Sequence, residues 1–203
     1  HQRLPLTPMP TQYYSATSLD GFVATLDDSV AWLDALGEPT ESSYPAFIRD
    51  VGAIAMGSST YEWVWRHLFG AATPVDTTAT STQPTWPYEA PTWVFTTRTL
   101  PPVPGADIRF VRGDVRPVHA EMLRVAGDRN VWLVGGGDLV GQFHDAGLLD
   151  ELILQVGSVT LGAGKPVLPR HIVQPPLQLQ SARVMSEGFV ELRYRVPRAS
   201  QQR

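Results

Sequence analysis

Two short apolar runs in this chain end in glycine and lead directly into helix-forming segments. Residues 52–56 (GAIAM) precede residues 57–60 (GSST), and residues 130–134 (NVWLV) precede three consecutive glycines at 135–137. Continuous apolar runs of this length are typical of strands that are buried on both faces, and such strands occur in parallel sheets covered by helices. Two strand–glycine–helix units therefore predict an α/β fold.

The rest of the chain continues the alternation of strands and helices up to about residue 150. After that point strands follow strands, and the last two meet at residues 186–188 (SEG) in the manner of a hairpin. We therefore expect a mixed sheet, parallel where helices cross over and antiparallel at its C-terminal edge. The expected strands are residues 12–19, 52–56, 92–97, 108–111, 130–134, 151–159, 177–185 and 189–196, and the expected helices are residues 29–36, 43–50, 57–67, 115–126 and 138–146.

The chain shows no internal repeat and no second domain boundary. We expect one domain over residues 12–197, with flexible extensions at residues 1–11 and 198–203. Residues 70–91 are rich in Thr, Ser, Pro and Ala and have no periodicity, so they are interpreted as a long loop inserted into that domain.

Composition excludes several classes of function. The 203 residues include no cysteine, which excludes disulfide scaffolds, thiolate nucleophiles and cysteine-bound zinc or iron–sulfur centres. The five histidines show no metal-ligand spacing, so we predict no metal site and expect them at ordinary surface or interface positions. The net charge of −4, with no long run of either sign, argues against nucleic-acid and membrane partners. No apolar stretch approaches the ~18 residues of a membrane span, and we expect a cytoplasmic protein.

Three segments could bind a ligand. The glycines at 135–137 bring bare backbone to a helix start, where free N–H groups and the helix dipole favour a diphosphate; a tight turn without a ligand is the alternative. The hydroxyls of residues 58–60 could hold a phosphate or only cap the helix. Arg98, beside two threonines at a strand end, suits a monoester such as a 2′-phosphate, although a solvated arginine has the same sequence. The GxGxxG dinucleotide fingerprint does not occur here.

Five motifs, taken in their order along the chain, resemble one family. Together they resemble the dihydrofolate reductase superfamily, and within it the branch that holds the reductase domain of the riboflavin-pathway bifunctional deaminase-reductase and its stand-alone relatives. The resemblance extends over residues 13–196. The motifs are SLDGFVA at 18–24, MGSSTYE at 56–62, VFTTR at 94–98, VWLVGGGDLV at 131–140 and LDELILQVGSVTLGAGKPVLP at 149–169.

The resemblance implies a three-layer α/β sandwich, with helices on both faces of the sheet. It implies that the protein binds NADPH and transfers hydride to a small heterocycle or to a carbonyl or imine compound. A homodimer and a cis peptide between Gly135 and Gly136 are also implied. The implied cofactor-binding residues are Ala16, Gly57, Ser58, Ser59, Thr60, Thr96, Thr97, Arg98, Val134, Gly135, Gly136, Gly137, Asp138 and Leu139.

On the substrate side, the resemblance implies roles for Asp20, Glu41, Tyr44 and Leu161. By the resemblance, Asp20 would belong to a loop that closes over the nicotinamide and the substrate, and it is predicted to be catalytic together with Asp138. The proton could come from Asp20, Glu41, Asp138 or solvent. A helix N-terminus favours the ionised form of Asp138, which makes this residue a better orienting group than acid.

Two departures from the family pattern restrict what the resemblance implies. Ser58 stands where the family usually has a basic residue, so Arg98 would bind the 2′-phosphate alone and the preference for NADPH over NADH would be modest. No Trp-x-Leu-Pro-x-Asp context precedes Met56, so folate reduction is not expected. With Lys165 as the only lysine, no phosphate site for the ribityl chain of a riboflavin precursor can be located. The alternative function is a non-catalytic protein of the same fold that binds a nucleotide or a metabolite.

Overall fold

The computed structural model describes residues 9–37, 39, 41–70 and 85–198. Most of the expected extensions at 1–11 and 198–203, and most of the loop at 70–91, lie outside these residues. Within them the elements are, in chain order, β1 (Thr11–Ser18), β2 (Phe22–Ala24), a 3₁₀ helix (Ala31–Leu36), α1 (Tyr44–Arg49), β3 (Val51–Gly57), α2 (Ser58–Phe69), β4 (Thr92–Phe95), β5 (Ile108–Val111), α3 (Val115–Ala126), β6 (Asn130–Gly135), α4 (Gly137–Asp145), β7 (Glu151–Gly157), β8 (Lys165–Pro166), β9 (Gln178–Ser186) and β10 (Phe189–Arg195).

One eight-stranded sheet runs through the molecule in the order β5-β4-β3-β6-β1-β7-β10-β9. Neighbouring strands from β5 to β7 are parallel. In contrast, β10 is antiparallel to both β7 and β9. Helices lie in most connections between the parallel strands, whereas residues 96–107 connect β4 to β5 without a helix and β9 and β10 need only a hairpin turn. The predicted mixed sheet, parallel in its core and antiparallel at the C-terminal edge, is confirmed.

Alternate residues of the central strands face two separate cores. In β6, Val131 and Leu133 pack with side chains of α3 and α4, whereas Trp132 packs on the other face with Phe47 of α1 and Tyr61 of α2. This alternation is the two-residue period of a strand. It places α3 and α4 on one face of the sheet and α1 and α2 on the other, so the predicted three-layer sandwich is confirmed.

Capping groups explain where two predicted helices begin and end. The helix α3 has the predicted bounds, because the Asp114 side chain accepts a hydrogen bond from the N–H of Arg116 at its start and Gly127, with φ of 65°, follows its end. The predicted helix at 29–36 is instead a 3₁₀ helix of six residues. It begins without a side-chain cap and is followed by Gly37, with φ of 67°.

Two further features differ from the sequence expectations. The strands β2 and β8 pair in a second, antiparallel sheet, which is too short to leave a periodic pattern in the sequence. His119 is not at the surface as expected: α3 buries it against the sheet, where its Nε2 lies 2.7 Å from the Oγ1 of Thr11. In the part of the chain that the structure describes, no helix has the length and apolar character needed to cross a bilayer.

Candidate functional site

A cleft of about 540 Å³ lies beside the glycine turn between β6 and α4. Its lining includes residues of β1, β6, β7, the 3₁₀ helix, the N-terminal parts of α1, α2 and α4, and the small β2–β8 sheet. The first strand and both glycine motifs, which are far apart in the sequence, therefore meet at one cavity. The predicted site residues in its lining are Ala16, Tyr44, Ser59, Thr60, Val134, Gly135, Gly136, Gly137 and Asp138.

The glycine turn presents bare backbone to this cleft. The Gly135–Gly136 peptide is cis, as the resemblance implies. A Cβ at Gly136 would meet no other atom of the protein within 4 Å, so the backbone there borders open space. Because Gly136 is the N-cap of α4 and has no side chain, it cannot cap the N–H groups of the first turn. In contrast, a Cβ at Gly137 would lie 2.3 Å from the carbonyl oxygen of Pro166, so Gly137 is needed for packing against β8.

The second glycine motif lies directly against the first. Met56 is paired with Gly135 across the sheet, and a Cβ at Gly57 would lie 3.7 Å from the backbone nitrogen of Gly136. Gly57 is the N-cap of α2 and no side chain caps this helix, so the hydroxyls at 58–60 do not serve as its N-cap. Ser59 and Thr60 belong to the cleft lining, whereas Gly57 and Ser58 do not.

Arg98 lies beyond the end of β4 and does not line the cleft. Its Nη1 and Nη2 donate to the two carboxylate oxygens of Glu62 on α2, at 3.0 and 2.9 Å, and its side chain is 54% exposed. Thr96 Oγ1 accepts a hydrogen bond from the N–H of Arg98 at 3.0 Å, and Thr97 is exposed. A phosphate bound by Arg98 would therefore compete with Glu62 for the guanidinium.

Asp20 joins two loops and does not line the cleft. Its Oδ1 accepts hydrogen bonds from Ser18 Oγ (2.6 Å) and from the N–H of Leu161 (3.1 Å), and its Oδ2 accepts one from the N–H of Gly162 (2.8 Å). The hydrogen bond from Ser18, followed by those from the two backbone N–H groups, lowers the pKa of Asp20. The carboxylate is therefore ionised at neutral pH. Leu161 packs with the hydrophobic cluster around Trp32 and is also outside the cleft lining.

Asp138 lines the cleft from the first turn of α4. Its carboxylate accepts hydrogen bonds from Gln142 Nε2 at 3.0 Å and from Arg170 Nη1 at 3.2 Å. These two partners anchor the side chain, which suits the orienting role expected for it. Leu139 is buried in the core behind it, and Glu41 is exposed and outside the cleft lining.

Comparison with known proteins places this architecture in a family. The family model described as the RibD C-terminal domain matches residues 12–190. The chain belongs to the RibD C-terminal domain family. The resemblance that the five sequence motifs indicate is thereby confirmed.

Relatives of this RibD C-terminal domain share nearly its whole length. The uncharacterized protein YwjB of Bacillus subtilis (strain 168) is 29% identical over 184 residues, which are 91% of this chain and 96% of that protein. The structure of a putative riboflavin biosynthesis protein from Shewanella sp. PV-4 has a TM-score of 0.71 at 23% identity and covers 93% of this chain and 100% of that one. Dihydrofolate reductase from Enterococcus faecalis has the same fold, with a TM-score of 0.54 at 12% identity over 92% of this chain and 95% of that one.

Aromatic side chains line the cleft. Tyr44 of α1 is one of the residues expected on the substrate side, whereas Trp63 of α2 and Trp132 of β6 have no role among the sequence expectations, although Trp132 lies within a quoted motif. The rings of Tyr44 and Trp132 are 6.0 Å apart, and burial raises the pKa of Tyr44. Aromatic walls of this kind suit a planar, largely apolar ligand such as a heterocycle. The sequence signal for Trp132 is its position between two core residues of β6, which puts it on the opposite face.

This chain also contains a cluster of four polar residues beside the cleft, which we name the Glu191 cluster: Tyr14, Ser43, Gln155 and Glu191. Tyr14 and Gln155 line the cleft, and Glu191 is 3% exposed. Ser43 Oγ donates to Glu191, and Gln155 Nε2 donates to the same carboxylate oxygen at 2.6 Å. The only sequence signals for this cluster are a glutamine within the apolar run of β7 and a glutamate two residues after Phe189, on the inward face of β10.

Proposed function

We propose that this RibD C-terminal domain is an NADPH-dependent reductase that transfers hydride to a small heterocycle or to a carbonyl or imine group. The observation that carries the proposal is the bare backbone at Gly136, which borders a cleft of about 540 Å³ at the start of a helix. Two relatives support it: the Enterococcus faecalis dihydrofolate reductase is complexed with NADP(H), and the Shewanella protein is a putative riboflavin biosynthesis protein.

The residues at the cleft fit a dinucleotide cofactor. A Cβ at Gly136 would fill space next to the first-turn N–H groups of α4, which are suited to a diphosphate. Ser59 and Thr60 add hydroxyl donors at the start of α2. Lys165, whose Nζ lies 3.9 Å from Asp28 Oδ1, adds a positive charge to the lining. When bound, the cofactor would supply the hydride.

Ala16 and Arg98 are proposed to serve opposite ends of the cofactor. Ala16 lines the cleft, and its backbone is proposed to contact the nicotinamide carboxamide. Arg98 is proposed to release the Glu62 carboxylate and to bind the 2′-phosphate in its place. Because Ser58 adds no charge at this end, the expected preference for NADPH over NADH is modest.

The chain itself orients the substrate and keeps water away from its aromatic side. Tyr44 and Trp132 hold a planar acceptor in the cleft, so that its reacting carbon has a fixed position. Reduction by hydride also requires a proton. Asp20 has a lowered pKa and lies outside the cleft lining, and Asp138 is anchored by Arg170. We therefore assign the proton to solvent at the open side of the cleft.

Binding and turnover can be measured separately. Because Trp63 and Trp132 line the cleft, we expect NADPH to quench or shift tryptophan emission at micromolar concentration. Oxidation of NADPH would then be screened against pterins, aminopyrimidines and small carbonyl compounds. Emission that stays unchanged up to millimolar NADPH would overturn the proposal.

The second candidate is a non-catalytic protein that binds a nucleotide or a metabolite. It is favoured by the acids of the cleft lining, Asp28 and Asp138, which are both paired with a cation. The same experiment separates the two functions. Saturable NADPH binding without oxidation by any compound of the screen would support the non-catalytic function.

A further inference from the structure

The Glu191 cluster crosses three adjacent strands beside the cleft. Tyr14 lies on β1, Gln155 on β7 and Glu191 on β10, and Gln155 is the register partner of Glu191. Ser43 precedes α1 and closes the cluster from the side of the helix layer. Two members, Tyr14 and Gln155, line the cleft, whereas Glu191 reaches it only through its hydrogen-bond partners.

Glu191 is a buried carboxylate with a full set of donors. One of its oxygens accepts from Ser43 Oγ and from Gln155 Nε2 (2.6 Å), and the other accepts from Arg193 Nε (2.7 Å). Burial alone would raise the pKa of Glu191, but the hydrogen bonds from Ser43, Arg193 and Gln155 outweigh it and leave the pKa lowered. The carboxylate is therefore ionised and can only accept hydrogen bonds.

The charge on Glu191 fixes the direction of the hydrogen bond between Tyr14 and Ser43. A serine hydroxyl has one hydrogen, and Ser43 donates it to Glu191. The 3.0 Å contact between Tyr14 Oη and Ser43 Oγ must then be donated by Tyr14. Burial raises the pKa of Tyr14, so the phenol keeps the hydrogen that this bond needs. Gln155 Nε2 donates a long hydrogen bond of 3.5 Å to Tyr14 Oη, and the other lone pair of the phenol oxygen remains available to accept a hydrogen bond.

The same charge fixes the orientation of the Gln155 amide. Its Nε2 faces Glu191 at 2.6 Å, and the reversed amide would put two oxygens at that distance, which is repulsive. Gln155 Oε1 has no hydrogen-bond partner among residues 9–37, 39, 41–70 and 85–198. Since the residue lines the cleft, this carbonyl oxygen is also left as an acceptor.

We propose that Glu191 is a positioning residue that turns Tyr14 Oη and Gln155 Oε1 into a pair of hydrogen-bond acceptors, so that this part of the cleft selects ligands with N–H donors. The matching ligands are heterocycles that carry an amino group or a lactam N–H. The inference rests on the proposed function in one respect, since it takes the cleft as the substrate site.

Two ring compounds of equal shape test this inference in the unmodified protein. 2-Aminopyrimidine carries an N–H donor, and 2-methylpyrimidine has a methyl group in its place; both are neutral at neutral pH. Their dissociation constants would be measured by NMR titration, with and without saturating NADPH. We expect 2-aminopyrimidine to bind about five- to tenfold more tightly than 2-methylpyrimidine, because a difference of this size corresponds to one hydrogen bond. Equal affinities, or no detectable binding of either compound, would overturn the inference.

Substitutions test the role of Glu191 itself. Glu191→Gln removes the charge at nearly constant shape, so Ser43 and Gln155 are no longer held as donors. We expect the affinity ratio of the two pyrimidines to fall to about one. The matched control is Glu151→Gln, because Glu151 accepts a similar bond from Gln12 Nε2 (2.7 Å) between the neighbouring strands β1 and β7, and neither residue lines the cleft. If the affinity ratio of the two pyrimidines falls as far in Glu151→Gln as in Glu191→Gln, the role assigned to Glu191 is not specific.

Gln155→Leu provides a second route if Glu191→Gln does not fold. It removes the acceptor and keeps the strand β7 apolar, and it too should lower the ratio to about one. A ratio unchanged in this variant would overturn the inference. The two proposals fail separately: selective binding of 2-aminopyrimidine without any NADPH binding contradicts only the reductase, whereas NADPH binding without selectivity contradicts only the role of Glu191.

Discussion

Adjacent glycines at the start of α4 differ in what surrounds them. Gly136 borders open space, whereas Gly137 is in contact with the backbone of Pro166 and Val167. The sequence does not distinguish them, because three consecutive glycines look alike. The distinction depends on β8, which arrives from a distant part of the chain and packs against Gly137 only.

The two glycines should therefore respond differently to an added side chain. We expect Gly136→Val to keep the melting temperature close to that of the unmodified protein and to weaken NADPH binding at least about tenfold, because the side chain projects into the space beside the α4 N-terminus. Gly137→Ala should instead destabilise the fold by about 1–3 kcal/mol, since its Cβ overlaps a carbonyl oxygen. Thermal unfolding and fluorescence titration measure the two effects.

The contrast between the variants is itself the control. If Gly136→Val binds NADPH with unchanged affinity, the diphosphate does not lie at this turn. If Gly136→Val unfolds as easily as Gly137→Ala, the position is structural.

At the scale of elements, the ion pair between the end of β4 and α2 determines whether the Arg98 guanidinium is free to bind a phosphate. In the structure Arg98 binds both carboxylate oxygens of Glu62. We expect Arg98→Ala to lower the preference for NADPH over NADH by about tenfold to a hundredfold, because the 2′-phosphate loses one group that binds it by charge-assisted hydrogen bonds. Glu62→Gln should raise the preference, because it frees the guanidinium. Affinities for both cofactors would be measured by fluorescence titration.

Arg116→Ala is the control for this pair of variants. Arg116 is paired with Asp114 at the start of α3, and neither residue lines the cleft. If Arg98→Ala lowers the affinities for NADPH and NADH equally, Arg98 does not bind the 2′-phosphate.

The contact between β1 and α3 predicts a dependence of stability on pH. Burial lowers the pKa of His119 below its ordinary value of about 6.5, and the charge of Asp150 offsets only part of this effect. The unfolded chain therefore binds a proton that the folded chain does not. The stabilisation is fully present above about pH 6.5 and is lost as the pH falls toward the folded pKa.

The measurement is the free energy of unfolding at a series of pH values, for the unmodified protein and for His119→Gln. We expect the unmodified protein to lose more stability than the variant between about pH 7 and about pH 5. The variant keeps a polar partner for Thr11 without titrating in this range. Parallel curves would show that His119 has the same pKa in the folded and unfolded states.

Elements with their own local signals could be predicted from the sequence. The helix α3 has a capping aspartate and a terminal glycine, and both glycine motifs end apolar runs. The pairing of β2 with β8 could not be predicted, because five residues carry no periodicity. The Glu191 cluster could not be predicted either, since its members meet only through the register of β7 with β10 and the position of Ser43.

At the scale of the whole molecule, the outer strand β9 is the place where a second copy could add to the sheet. Among the residues that the structure describes, β9 pairs with β10 alone, and it exposes Leu179 (56%) and Val184 (77%). Unpaired strand edges with apolar side chains favour association. We propose a homodimer, as the sequence resemblance implies, and place β9 at its interface.

Sedimentation velocity would test the dimer. We expect the unmodified protein to sediment as a dimer and Val184→Lys to shift it to a monomer, because a charge would be buried at the interface. Val173→Lys is the control, since Val173 is also exposed (60%) but lies outside β9. A monomeric unmodified protein would contradict the proposal, and equal effects of the two substitutions would contradict the interface.

The position of β1 between β6 and β7 has a consequence for how the chain folds during synthesis. Thr11 is paired with Val131, and Gln12 is paired with Glu151. A nascent chain must therefore emerge from the ribosome past β6 before its first strand has any neighbour in the sheet. Until then β1 is an unpaired strand segment that is open to aggregation or to capture by chaperones. The centre of the sheet can therefore close only after β7 has been synthesised.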